Sequence, residues 1–353
     1  MADELPLPPH FDPDRVGVVR QVDYQARFAD ALAWAEVHAL RPAAEDEHRV
    51  CLLVVDAQNT FCTPGFELFV AGRSGTGALD DSRRLCEFVY RNLSLLTQTV
   101  ATLDTHQAFQ LFHAPLLVDE HGRHPEAYTL VSAADVESGR WQLSESGAGA
   151  LGLDPAYAQA HLRAYVRALA GGGKYDLTVW PFHAMLGGIG HALVAAIEEA
   201  LFFHAIARSS QTSFELKGQS ALTEHYSALG PEVARDHTGA PLGSRNGRLI
   251  ERLLRFDAVL VAGQAKSHCV AWTIEDLLRD SLVREHRLAD RLYLLDDCTS
   301  PVVVPGAVDF TQAADEAFAR FVEAGAHVVR STDPVSSWPG PIAPAAAGVR
   351  ASP

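Results

Sequence analysis

Residues 259–278 read VLVAGQAKSHCVAWTIEDLL, and the fold turns on them. The run AVLVAG (258–263) is short, apolar and uninterrupted, the pattern of a strand buried on both faces of a parallel sheet. QAKSH is a tight polar turn, and AWTIEDLLRDSLV (271–283) places apolar residues at helical spacing. Strand, turn and helix in succession are the repeating unit of an α/β sheet. Cys269 then lies close to a helix N-terminus, a position that lowers a thiol pKa. Taken alone, a free cysteine between a strand and a helix more often serves packing than chemistry, so its neighbours must decide.

Working outward, similar runs occur at CLLVVD (51–56), VATLD (100–104), FHAIAR (about 203–208), LYLLD (292–296) and HVVR (327–330). Between them RRLCEFVYRNLSLLTQTV, GHALVAAIEEALF and AADEAFARFVEAG show a 3.6-residue period. The alternation predicts an α/β fold: a doubly wound, mostly parallel six-stranded sheet with helices on both faces. Ligands of such sheets bind beyond the carboxyl ends of the strands. That directs attention to Asp56, Asp104, the 264–269 loop and Asp296.

The main domain is expected over 50–332, with surface insertions at about 113–179 and 225–248. Residues 1–49 read as an N-terminal extension, helical within 22–40, and 333–353 as a Pro/Ala-rich tail too poor in apolar residues to order itself, either flexible or wrapped on the domain. The glycine-rich stretches GRSGTGA (72–78) and AGGGKYD (170–176) lack phosphate-loop spacing and read as turns. In 353 residues there are 29 Lys plus Arg against 44 Asp plus Glu, a formal charge of −15. With no basic stripe, nucleic acid is not an expected partner. The chain has no long apolar run, and its N-terminus is acidic and proline-rich, so neither a membrane nor a secretory leader is expected and the cytoplasm is. Five cysteines with no CxxC pair indicate neither a disulfide framework nor a thiolate zinc site.

Five segments occur in one order: VVDAQNTFCTPG (54–65), TLDTH (102–106), VWPFH (179–183), ELKGQSALTEHYSALG (215–230) and VAGQAKSHCV (261–270). Together they resemble the isochorismatase-like cysteine hydrolases, the nicotinamidase branch in particular. The resemblance implies a catalytic triad of Asp56, Lys217 and Cys269, with Cys269 the nucleophile, Asp56 the proton carrier and Lys217 the cation beside both. It also implies an oxyanion hole from the backbone N–H groups of Ala265 and Cys269, with a cis peptide between Gln264 and Ala265.

By the same resemblance Asp104, His106 and His183 form a site for a divalent transition metal, Zn, Mn or Fe, beside the substrate. Many relatives carry another His four residues after His106; Gln110 stands there, and His113 reads as out of phase. Phe61, Trp180 and Tyr226 are read as substrate-pocket residues, core packing being the alternative, and His268 as its rim. The expected function is hydrolysis of a small amide, nicotinamide to nicotinate and ammonia first, through a thioester. The alternatives are a ureide, biuret or N-carbamoyl amidase with the same triad, or a non-catalytic scaffold. Beyond its small-molecule amide substrate, the expected partner is a second copy of the chain in a homo-oligomer.

Overall fold

The computed structural model describes residues 4–173, 175–283 and 288–342. Its central sheet comprises β1 (Val50–Val55), β2 (Gln98–Asp104), β3 (Ser213–Lys217), β4 (Ala258–Gly263), β5 (Leu292–Leu295) and β6 (His327–Val329). The order is β6-β5-β4-β1-β2-β3, and every neighbouring pair is parallel. The principal helices are α1 (Tyr24–Val37), α2 (Gly77–Arg91), α3 (Pro155–Gly171), α4 (Ala195–Ala207), α5 (Ala271–Val283) and α6 (Thr311–Glu323). The doubly wound architecture is the one the apolar runs predict, and no described helix is long and apolar enough to cross a membrane.

Every residue of β1 is buried, which its unbroken apolar sequence requires. Val50, Leu52 and Val54 enter one core with Leu85 and Phe88 of α2 and Phe203 of α4. Cys51, Leu53 and Val55 enter the other, with Ile274 and Leu277 of α5 and Phe318 and Phe321 of α6. Alternation along one strand thus glues helices to both faces. In the N-terminal segment α1 lies on α4, with Tyr24 and Phe202 ring centroids 5.0 Å apart and Arg27 Nη1 3.5 Å from Glu199.

Two sequence expectations fail here for identifiable reasons. FHAIAR (203–208) is not a strand; it is the end of α4, where Phe203, His204 and Ala207 are buried on one helical face. The strand is SFELK, β3, whose Phe214 and Leu216 are about half exposed on the sheet edge, so its apolar residues give no buried-strand signal. The tail, too, is ordered through residue 342, wrapped on the domain rather than flexible. Trp338 stacks on Phe88 (5.8 Å, 7° between ring planes) and lies 5.9 Å from Tyr293, and Val335 and Ile342 are buried. Residues 343–353 lie outside the described residues.

The 113–179 stretch carries α3, started by Asp154 accepting from the Tyr157 N–H at 2.9 Å with Pro155 in the first turn. Tyr165 of α3 accepts the Glu224 N–H at 3.0 Å. The segment after β3 is therefore braced from below, and Ser227, Ala228 and Leu229 are buried where a surface insertion was expected to begin.

Because Trp338 fills space between Phe88 and Tyr293, Trp338→Ala should destabilise the chain by about 3 kcal/mol, within the range for large-to-small core changes. Urea unfolding checks this. An unchanged midpoint and slope would mean that the tail contributes nothing to the core.

Candidate functional site

Strand order reverses between β1 and β4, and the crevice of a doubly wound sheet opens at that switch point. Asp56 follows β1 there, in a left-handed conformation (φ 45°) that few residues other than glycine, asparagine and aspartate adopt. Thr102 of β2 holds it: its Oγ1 accepts the Asp56 N–H at 3.0 Å and donates to Asp56 Oδ1 at 2.5 Å. Across β2, the register pairs Asp104 with Lys217 at the end of β3. After β4, Lys266–Val270 form one π-helical turn leading into α5, a distortion often found at functional sites, and Cys269 sits in it.

These elements bring together the three residues expected of a triad. Lys217 Nζ lies 2.9 Å from Asp56 Oδ2 and 2.9 Å from Asp104 Oδ1, and it donates to Cys269 Sγ at 3.5 Å and to the His225 carbonyl at 2.9 Å. All four side chains are buried. Burial alone would lower the Lys217 pKa, but Asp104 and Asp56 carry it well above its ordinary value. Burial likewise favours protonated Asp104, yet His106 and Lys217 outweigh it and hold this carboxyl well below its usual range. Asp56 is pushed up by burial, against the pull of Lys217.

Cys269 departs from the sequence reading. A helix N-terminus was expected to lower its pKa, but burial pushes the thiol up, with Asp56 and Asp104 adding to the rise and Lys217 opposing it. The thiol proton is thus retained beside a carboxyl whose affinity for a proton is also raised.

Asp104, His106 and His183 offer ligand atoms all within 4.8 Å of one another. His106 Nδ1 lies 3.2 Å from the Gly218 carbonyl and His183 Nδ1 2.8 Å from the Pro181 carbonyl. A carbonyl only accepts, so Nδ1 carries a hydrogen in both rings. Burial alone would lower the His106 pKa, but Asp104 raises it, so a bound ion would take the place of the His106 Nε2 proton, whereas burial lowers His183 and leaves its Nε2 a lone pair. Those Nε2 atoms lie 2.9 Å (His106) and 3.7 Å (His183) from Asp104 Oδ2. One carboxylate and two imidazoles anchored in this way fit a divalent zinc-like ion.

Gln110 does not face this group. Its amide donates to the Gly218 and Ser220 carbonyls at 2.6 and 2.9 Å and so fastens the loop that holds His106. His113, read as out of phase, stays outside the group of potential ligands: its ring packs beside them, its centroid 5.9 Å from those of both His106 and His183, and its buried Nε2 has no partner among the described residues. Sequence reasoning also missed Glu224, seven residues after Lys217. Burial pushes its carboxyl up to about 7, and its Oε2 has no hydrogen-bond partner among the described residues. Both residues lie on loops, where spacing carries no period to say which way a side chain turns.

A pocket opens above Cys269. Phe61, Trp180, Tyr226 and His268 all line it, with Glu224 and Ala265, so the four residues read as pocket residues are gathered at one place. Trp180 Nε1 donates to Tyr226 Oη at 3.0 Å, fixing two walls. His268 is held neutral, burial lowering it to about 3. The Gln264–Ala265 peptide is cis. Asp296 lies apart from the pocket, paired with Lys266 at 2.9 Å.

No family model matches the sequence. No curated protein is similar to it in sequence. Among solved structures, the chain is similar to a nicotinamidase/pyrazinamidase of Acinetobacter baumanii (20% identity, TM-score 0.48, 82% of this chain and 99% of that one). It is also similar to the yeast nicotinamidase (17% identity, TM-score 0.48, 79% and 99%). A third is the pyrazinamidase of Pyrococcus horikoshii in complex with zinc (16% identity, TM-score 0.40, 80% and 99%). The chemistry is therefore read from this chain's own side chains.

Gly218 joins the two halves of the site. Its φ is +84°, and a Cβ there would fall 2.7 Å from both Asp104 Oδ1 and His106 Cε1. Gly218→Ala should displace one of them, weakening Zn²⁺ binding at least about tenfold, the cost of a misplaced ligand or of its support. Metal titration monitored alongside circular dichroism checks this. Unchanged affinity in a folded variant would contradict the ligand arrangement.

Proposed function

We propose that this chain is a cysteine-dependent amidohydrolase, acting on a small amide and on nicotinamide first. One observation carries the reading: Lys217 Nζ stands 3.5 Å from Cys269 Sγ and 2.9 Å from Asp56 Oδ2, and Cys269 lines an aromatic-walled pocket. A buried thiol, carboxylate and ammonium in contact are costly to maintain for packing alone. They are what attack on an amide carbon requires.

In the proposed reaction Asp56 accepts the Cys269 thiol proton as Sγ bonds to the amide carbon. The carbonyl oxygen, now anionic, is received by the backbone N–H groups of Ala265 and Cys269. Among the described residues the Ala265 N–H donates to no protein acceptor, which leaves it available for that oxygen. Asp56 passes its proton to the amide nitrogen, the C–N bond breaks and ammonia leaves a thioester on Cys269. Water then attacks the thioester, giving its proton to Asp56; the C–S bond breaks, the carboxylic acid is released and the proton returns to sulfur. Lys217 stays charged throughout and balances whichever of Asp56 and Cys269 is anionic.

Asp104, His106 and His183 would hold the divalent ion, Zn, Mn or Fe, which when bound supplies a Lewis-acid contact for a ring nitrogen of the substrate. Phe61 and Trp180 would flank a flat ring. A ureide or N-carbamoyl substrate is the second reading. It is favoured by the unpartnered Glu224 Oε2 and His268 Nε2, polar atoms that a plain pyridine ring would leave unsatisfied.

Cys269→Ala should lower ammonia release from nicotinamide or a ureide panel by at least about three orders of magnitude while the fold persists, as expected when one member of a catalytic unit is lost. Iodoacetamide should modify Cys269 first, since it is 6% exposed and the other four cysteines at most 1%. Near-normal turnover in the variant would refute the assignment.

A further inference from the structure

The turn that carries the nucleophile is held by side chains that never reach the pocket. Gln264 is 2% exposed, immediately precedes Ala265, and takes no part in lining the pocket. Its Nε2 donates to Asp81 Oδ2 of α2 at 2.8 Å, its Oε1 accepts the Ser300 N–H at 3.2 Å, and its own N–H donates to the Val55 carbonyl at 2.8 Å. Asp81, 3% exposed, uses its other oxygen to accept from Arg84 Nη2 at 2.9 Å. Burial raises its carboxyl to about 6, leaving it an anionic acceptor at neutral pH.

The strand-end loop at 300–302 closes the frame. Lys266 N–H donates to the Ser300 carbonyl at 2.8 Å, and Val302 N–H to Ser267 Oγ at 3.1 Å. The glycine-rich stretch 72–78 belongs to the same frame. A Cβ on Gly77 would fall 2.6 Å from Ser300 Oγ and 2.9 Å from the Ala71 carbonyl, so only glycine lets the start of α2 approach Ser300 this closely. That approach sets Asp81, one turn further along α2, against Gln264.

We propose that Asp81 and Gln264 form a buried clamp that fixes the peptide bearing the Ala265 N–H and the turn bearing Cys269, which makes both of them positioning residues for the amidase reaction. The inference rests on the amidase reading for its meaning but not for its geometry. A buried amide and carboxylate must be paired to be tolerated, and these pair with each other at the one turn whose backbone direction the chemistry depends on. Two carboxylate oxygens and both ends of the Gln264 amide are engaged, so the turn has one hydrogen-bonded arrangement.

The test is a double-mutant cycle of Gln264→Leu and Asp81→Ala, with kcat, KM, the unfolding temperature and the rate of iodoacetamide modification at Cys269 measured for each. Each single variant should lower kcat about tenfold with KM within about twofold, and the double variant should be no slower than the worse single one, as for two residues acting as a unit. Asp81→Asn, which keeps an acceptor oxygen for Gln264, should retain more kcat than Asp81→Ala. Loss of thermal stability with kcat unchanged, or losses that multiply, would overturn the clamp. If the wild-type chain hydrolyses no amide, the amidase reading fails. The alkylation arm then decides alone: a changed rate at Cys269 in folded Gln264→Leu supports the clamp, and an equal rate overturns it.

Discussion

The ammonium of Lys217 is the contact on which the site depends. It lies 2.9 Å from one oxygen of each of two buried carboxylates and 3.5 Å from the Cys269 sulfur. Taking ions out of water costs several kcal/mol each after relaxation, and only close pairing with further hydrogen bonds offsets it. The His225 carbonyl and Thr102 hydroxyl supply those bonds, to Lys217 and Asp56 respectively. Without the cation, Asp56 and Asp104 would face each other unbalanced, and the thiol would have no positive neighbour to support its ionised form.

That requirement explains why the site lies where it does. The sheet holds Lys217 and the two carboxylates in register, because Asp56 directly follows β1, Asp104 closes β2 and Lys217 closes β3. Asp104 is shared: Oδ1 meets Lys217 while Oδ2 faces His106 and His183. The Lys217–Cys269 pair and the group able to hold a metal therefore meet at one carboxylate, and a charge introduced on one side is felt on the other.

Much of this was legible in the sequence where one physical signal dominated. β1, β4 and α5 fall within a residue of their expected bounds, since a strand buried on both faces is a continuous apolar run and a packed helix has a clear period. FHAIAR misled because a short apolar run ending a buried helix looks the same as a strand. β3 was missed because its apolar side chains point outward at the sheet edge. The residues now gathered around Cys269 were visible as ordered motifs, whereas His113 and Glu224 sit on loops without periodicity. The Asp81–Gln264 contact spans 183 positions, and no local pattern announces it.

The account stands on Cys269 forming the acyl intermediate with Lys217 and Asp56 beside it. Acid-quenching the enzyme within its first turnovers on nicotinamide and mapping adducts by peptide mass spectrometry tests this most directly. The account predicts a nicotinoyl group on the peptide containing Cys269 and on no other cysteine peptide. Turnover accompanied by an adduct elsewhere, or by none on Cys269 while the unmodified peptide is fully recovered, would contradict it.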